Sequence, residues 1–178
     1  MTSIFISGSR SISKMNAIVQ RELSTFISVG HTILIGDAYG VDKMVQSFLA
    51  QAKYRNVRVF CVDGICRNNI GDWEIISVKS DSRKRDFAFY ALKDIVMADI
   101  SDFGFVVWDG KSKGSLSNIN NLLKQNKLVL IYLLQAKRIF RVTNAEKLGD
   151  IINSFNLEIA REINDSLIEK SKQRALHL

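Results

Sequence analysis

Three segments of this chain repeat one pattern, in which an apolar strand runs into a short glycine loop and a helix begins just beyond it. The copies are residues 4–11, 33–42 and 105–115. Alternating strands and helices build a parallel sheet with right-handed crossovers, so such loops emerge together at the carboxyl ends of the strands. Backbone N–H groups and helix N-termini attract anions there, above all phosphate. The coincidence predicts an α/β fold with a nucleotide-type site.

Each glycine loop taken alone is weak evidence for a ligand site. Glycine between a strand and a helix is often only turn chemistry. None of the three loops matches G-x-G-x-x-G or the Walker A consensus, so neither the common dinucleotide fingerprint nor a P-loop ATPase is supported.

Composition limits the class of protein. The 178 residues are 47% hydrophobic, which suits one domain with a sizeable core. The longest apolar stretch, Leu128–Leu134, has the length of a buried strand and not of a membrane span. No signal-peptide pattern precedes the first strand. Cys61 and Cys66 have no partners at zinc spacing, so we expect a cytoplasmic, reduced protein that binds no metal and requires no cofactor.

The charge of the chain favours anionic ligands. A net charge of +7 attracts phosphate-bearing molecules without specifying which. The basic residues are scattered, and no motif specifies nucleic acid. We expect a small phosphate-bearing nucleotide as the ligand and no membrane partner. A homodimer and a nucleic-acid partner stay open.

Hydrophobic periodicity predicts the organisation of the chain. Five strands are expected, at residues 2–7, 32–35, 57–62, 103–108 and 128–134, with helices between them. The predicted fold is a Rossmann-like doubly wound parallel sheet of strand order 3-2-1-4-5 with a C-terminal helical extension. This order reverses between the first and fourth strands, so their loops face each other at a topological switch point.

The remaining segments give weaker patterns. One domain is expected over residues 1–178, with its core at 2–134 and its extension at 135–178. Residues 63–81 read as a long polar loop, for which a flap over a ligand is a natural role. A third helix is expected over residues 82–97. The extension predicts an edge strand at 139–142, a short helix at 145–155 and an amphipathic helix at 157–173.

The first loop places a guanidinium beside its glycine. Arg10 can bind phosphate bidentately next to the loop amides, although a surface arginine would look the same. Ser9 and Ser11 can donate to phosphate or cap the following helix. With Gly8, these residues form the first group of candidate ligand contacts.

The second loop holds two carboxylates. Asp42 falls in the first turn of a helix, where the helix dipole favours a carboxylate without any functional need. Asp37 stands at a strand end, which suits a group that hydrogen-bonds a ribose or a base. Gly36 and Gly40 complete this second group.

The third loop is the richest phosphate candidate. It combines two glycines, two ammonium groups and hydroxyls with a helix that starts immediately after. Its members are Gly110, Lys111, Ser112, Lys113, Gly114 and Ser115. Together with the first loop it would bring positive charge to both sides of one crevice.

In their order and spacing these motifs resemble the SLOG superfamily. The motifs are Gly8-Ser9-Arg10, the run from Gly36 to Asp42, Lys93-Asp94-Ile95-Val96-Met97 before Ser101-Asp102, and the loop from Gly110 to Ser115. The superfamily contains the LOG (lysine-decarboxylase-like) phosphoribohydrolases, the Smf/DprA DNA-processing proteins and small stand-alone nucleotide-binding proteins, and this chain is most similar to the last group. The resemblance covers residues 2–134 and implies a Rossmann-like fold that binds a nucleotide-derived ligand. The family's loop positions match Gly8, Ser9, Arg10, Gly36, Gly40, Asp42, Gly110, Gly114 and Ser115.

Two departures bear on catalysis. Lys93, a further candidate ligand contact, stands where the LOG enzymes carry an arginine. Asn118, or a serine near it, stands where they carry the glutamate of N-glycosidic hydrolysis. An amide cannot act as an acid or a base, so we expect no LOG-like hydrolysis of AMP-like nucleotides.

Three functions follow from the sequence. The leading hypothesis is a sensor or carrier of a nucleotide-derived ligand. The alternative is an N-glycosidic hydrolase or transferase in which another carboxylate replaces the missing glutamate; the candidates are Asp37, Asp42, Asp94 and Asp109. The third hypothesis is a DNA-binding module like the Smf/DprA proteins.

Overall fold

The computed structural model describes residues 1–81, 84–157 and 161 of the chain. Its strands are β1 (Ser3–Gly8), β2 (Thr32–Gly36), β3 (Val57–Val62), β4 (Glu74–Val78), β5 (Phe103–Trp108), β6 (Val129–Leu133) and β7 (Arg138–Val142). Its helices are α1 (Ala17–Val29), α2 (Val41–Gln51), α3 (Phe87–Ile100), α4 (Lys113–Leu123) and α5 (Ala145–Ser154).

The strands form one sheet of order β4-β3-β2-β1-β5-β6-β7. All neighbours are parallel except β6 and β7, which are antiparallel. The order expected from the sequence, 3-2-1-4-5, corresponds to β3-β2-β1-β5-β6 and forms the middle of the sheet. The observed sheet has a further strand at each edge. The edge strand expected at residues 139–142 is confirmed as β7 and makes the sheet mixed, whereas β4 at the other edge was not expected.

The expected loop at residues 63–81 contains strand β4. Three of its five residues are exposed and two are half-buried, and Ile75 is 47% exposed. An edge strand with little burial lacks the apolar run that marks the central parallel strands. Its pairing with β3 includes an ion pair between Arg58 and Glu74 at 3.0 Å.

Helices cover both faces of the sheet. Buried side chains of α1 and α2, such as Leu23 and Val45, pack with Ile4 and Ile33 on one face. Buried side chains of α3, α4 and α5 pack on the other face with Phe5. This division is the doubly wound arrangement that alternating strands and helices predict. In the described residues no helix is long and apolar enough to cross a membrane.

Local hydrogen bonds set the ends of the helices that border the site. Helix α3 begins after Asp86, whose carboxylate accepts from the N–H of Phe89 at 3.1 Å, so the expected start at residue 82 is too early and the expected end at 97 is three residues short. Residues 82 and 83 lie outside the described part of the chain, and so does most of the amphipathic helix expected at 157–173. Helix α4 begins after Ser112, a good N-cap residue.

Candidate functional site

A cleft of about 550 Å³ opens at the carboxyl edge of the sheet, between the loops after β1, β2 and β5 and the helices α3 and α4. This volume is typical of small-molecule sites. Ten of the expected ligand contacts line it: Gly8, Arg10, Ser11, Gly36, Asp42, Lys93, Ser112, Lys113, Gly114 and Ser115. The carboxylates of Asp94 and Asp109 line it as well.

The loops after β1 and β5 meet at the expected switch point. Ser9 is fully buried, and its hydroxyl lies 3.3 Å from that of Ser115 and accepts from the N–H of Asp109 at 3.0 Å. Ser11 donates to the Asp109 carboxylate at 2.7 Å. Ser9 does not line the cleft. Its hydrogen bonds hold the two loops together.

Asp109 organises the third loop. One of its oxygens accepts from the N–H groups of Lys111 and Ser112, at 3.0 and 2.8 Å. Burial opposes its charge, but the hydrogen bonds from Ser11 and from these amides outweigh burial and hold its pKa below the usual value. Gly110 and Lys111 do not line the cleft; Gly110 packs close to Gln135 and Leu157. A carboxylate with this many donors is better suited to shaping the loop than to moving a proton.

The N-terminus of α4 offers open donors to the cleft. The Ser112 hydroxyl accepts from the N–H of Ser115. The described hydrogen bonds leave the N–H groups of Lys113 and Gly114 without an acceptor. Arg10 and Lys113 are exposed at this rim. Two free amides, the helix dipole and two cations are the elements of an anion site.

The floor of the cleft is a charge cluster, in which Asp42 and Lys93 are buried and Asp94 is half-buried. The ammonium of Lys93 donates to Asp94 at 2.5 Å, and Asp42 accepts from the N–H of Ala38 at 3.1 Å. A Cβ on Gly36 would stand 2.5 Å from Asp42 Oδ2 and 2.7 Å from Lys93 Nζ. Glycine at the end of β2 therefore leaves the space in which this carboxylate and this ammonium lie.

Burial sets the protonation of the cluster. It raises the pKa of Asp42 to about 6, because desolvation and the charge of Asp94 outweigh the attraction of Lys93. Burial disfavours the charged form of Lys93, but Asp94 and Asp42 outweigh burial and raise its pKa. The ammonium therefore stays charged between two carboxylates, and the floor carries a net negative charge near neutral pH.

Asp37 is not part of the cleft. Its side chain is 2% exposed and forms a bidentate ion pair with Arg67, at 2.9 and 2.7 Å. Burial opposes its charge, but the hydrogen bonds and charge of Arg67 outweigh burial and lower its pKa. The expected roles of Asp37, in ribose recognition or as a base, do not fit a carboxylate so engaged. Gly40 also lies outside the lining, against the backbone of Arg10 and with φ 76°.

The segment expected to form a flap is held away from the cleft. Asn68 donates to the carbonyl of Asp37 at 2.8 Å, and the amide of Gln46 binds both Gly36 O and Ile70 N. None of residues 63–81 lines the cleft. Their hydrogen bonds instead fix the end of β2 and support the Asp37–Arg67 pair.

Sequence reasoning missed one wall of the cleft. This wall is the start of α3 and the residues before it: Arg85, Asp86, Phe87, Tyr90 and Ala91. Phe87 is 61% exposed, and a Cβ on Gly114 would lie 3.7 Å from its ring. The sequence carries no signal that separates these residues from an ordinary helix face. Ser7 at the end of β1 was also missed, and Asn118, noted only as a departure from the LOG pattern, lines the cleft and donates to Asp94 at 3.4 Å.

The comparisons with known proteins concern the fold. No protein-family profile and no curated protein sequence matches the chain. A solved structure of DNA processing protein A from Helicobacter pylori, described by its single-stranded DNA binding mode, is similar with a TM-score of 0.58 and 16% identity, over 95% of this chain and 81% of that one. The chain therefore has a Rossmann-like α/β fold of the kind found in that DNA processing protein, which is consistent at this coarse level with the superfamily its motifs resemble.

Proposed function

We propose that the cleft binds a phosphate-bearing nucleotide, with the phosphate at the N-terminus of α4. The observation that carries the proposal is the pair of unpartnered N–H groups, of Lys113 and Gly114, in a cleft that Arg10 also lines. Backbone amides and a guanidinium together bind phosphate oxygens with strong, charge-assisted hydrogen bonds. The net charge of +7 adds long-range attraction for an anion.

The protein acts as a sensor or carrier in this proposal. Asn118 lies where a LOG enzyme has its glutamate, and its amide donates to Asp94. The hydrolase or transferase alternative depends on Asp42 and Asp94, because Asp37 pairs with Arg67 and Asp109 holds the third loop.

Single-stranded DNA is the second candidate ligand, and the structural comparison supports it more directly than it supports a free nucleotide. The similar protein is described by its single-stranded DNA binding. In this chain Phe87 and Tyr39 are more than 60% exposed, and Lys43 lies 5.8 Å from the Tyr39 ring centroid. Exposed aromatic rings beside cations are the elements on which unpaired bases stack.

Replacing Arg10 by alanine tests the site. We expect about a tenfold or larger loss of nucleotide affinity, because a charged hydrogen bond to phosphate is removed. We expect no change in melting temperature, because Arg10 is exposed. Calorimetric titration with the ribonucleoside 5′-monophosphates measures the first effect and a thermal melt the second.

The matched control is Arg21→Ala, which removes the same charge from the exposed side of α1, outside the cleft. Equal losses of nucleotide affinity in the two variants would show that the effect comes from net charge alone. Wild-type affinity in Arg10→Ala would remove Arg10 from the site. An oligodeoxythymidylate that binds with a steep salt dependence, while the monophosphates do not bind, would establish the second candidate in place of the first.

A further inference from the structure

The cleft contains a buried hydroxyl that nothing in the described residues satisfies. Ser7, near the end of β1, is 5% exposed and lines the cleft, and its Oγ has no hydrogen-bond partner there. Buried polar groups without partners are rare, because each costs its lost hydration. The other such atom in the described residues, Asn120 Nδ2, belongs to a residue that does not line the cleft.

Carboxylate acceptors line the same cleft. The register of β1 with β2, in which Ile6 pairs with Ile35, continues to Ser7 beside Gly36, and Asp42 lies next to that glycine. Ser7 follows Phe5 on the sheet face covered by α3, and Phe5, Asp42, Lys93 and Asp94 also line the cleft. Each carboxylate oxygen can accept more than one hydrogen bond. Asp42 Oδ2 accepts from Ala38, and Oδ1 has no described partner. The floor therefore offers acceptors and one unused hydroxyl, and it carries two carboxylates against one ammonium.

We infer that the floor of the cleft is a ribose subsite, in which Ser7 and Asp42 hydrogen-bond the sugar hydroxyls of a ribonucleotide whose phosphate lies at the rim. The inference rests on the proposed function and adds the orientation and the sugar of the ligand. A floor with a net negative charge repels phosphate, but its carboxylates can accept hydrogen bonds from neutral O–H groups. A cis-diol supplies two adjacent O–H donors, and carboxylates near the strand ends of Rossmann folds bind ribose in this way.

The 2′-hydroxyl provides the test. We expect at least one ribonucleoside 5′-monophosphate to bind about 10- to 100-fold more tightly than its 2′-deoxy counterpart, since a hydrogen bond to a charged acceptor is lost. Ser7→Ala is expected to reduce the affinity for the ribonucleotide about fivefold. It should therefore also lower the ratio of ribonucleotide affinity to deoxyribonucleotide affinity. The same substitution should leave the stability of the ligand-free protein unchanged or higher, because it removes an unsatisfied hydroxyl. A purely structural serine would show the opposite pattern.

The control is Ser101→Ala, which alters another buried serine, outside the cleft, whose hydroxyl is bonded to Ala98 O at 3.2 Å. It should lower stability slightly and leave both affinities unchanged. Equal binding of ribo- and deoxyribonucleotides, or a ratio that Ser7→Ala does not change, would overturn the ribose subsite alone. If neither the nucleotides nor inorganic phosphate bind, the proposed function fails together with this inference.

Discussion

Gly8→Ala is expected to lower the free energy of unfolding by about 3 kcal/mol, the upper end of what overpacking usually costs. A Cβ at this position would stand 2.2 Å from the carbonyl oxygen of Val107 and 2.7 Å from Cγ2 of Val41. Val107 is held in the sheet as the register partner of Gly8, and Val41 is fully buried at the start of α2. Relief would require the central strands to separate, because neither neighbour is the end of a flexible side chain.

Urea denaturation of Gly8→Ala beside Gly149→Ala measures this effect. Gly149 lies inside α5, and a Cβ there meets nothing within 4 Å. Alanine at 149 should therefore stabilise the protein by about 0.5–1 kcal/mol through helix propensity. A Gly8→Ala protein as stable as wild type would show that β1 and β5 do not approach α2 as described.

Lys93→Met is expected to cost about 3–5 kcal/mol near pH 7, the usual penalty for leaving buried charge unpaired. Methionine has a similar length and fills the same space, so the lost element is the charge. Without the ammonium, Asp94 loses its ion-pair partner and Asp42 loses the charge that offsets its burial.

The cost of Lys93→Met should depend on pH. In wild type the pKa of Asp42 is raised from 3.8 to about 6, so the folded state binds this proton more tightly than the unfolded chain. The contribution of Asp42 to stability therefore falls as pH rises from about 4 to about 6. Lys93 is the cation that holds the pKa of Asp42 down, so its removal raises that pKa further, and the fall becomes larger and extends to higher pH.

Denaturation at pH 5 and pH 8 tests this dependence. Lys93→Met should lose much less stability at the acidic pH, where Asp42 is protonated and one of the two negative charges is removed. Lys124→Met, an exposed lysine after α4, should stay within about 0.5 kcal/mol of wild type at both values. A cost for Lys93→Met that is the same at both pH values would mean that only packing was lost.

The sequence was informative where burial leaves a repeated pattern. The strand from Phe103 to Trp108 is apolar because it is covered on both faces, so it was predicted with its observed ends. The loops after β1 and β5 were expected to meet, and Ser9 joins them to Ser115 through buried hydroxyls. By contrast, β4 is an edge strand whose side chains are mostly in water, and such a strand has no apolar run to reveal it.

The functional roles were harder to predict because they depend on contacts distant in the chain. The sequence predicts that Asp37 contacts a ligand, but in the fold its carboxylate pairs with Arg67, which lies 30 residues away in the chain. Lys93 and Asp42 lie on different helices, and the fold brings both side chains next to Gly36. The sequence predicts a helix over residues 82–97 but does not show that Arg85 to Ala91 line a cleft, because a cleft depends on which loops pack opposite the helix.

The most direct test of the account is a crystal structure of the protein with a bound ribonucleoside 5′-monophosphate. We expect a phosphate oxygen within about 3.2 Å of the N–H of Lys113 or Gly114, with the Arg10 guanidinium on the same phosphate and the ribose toward Ser7. A phosphate bound only at the opposite, amino-terminal edge of the sheet would contradict the account.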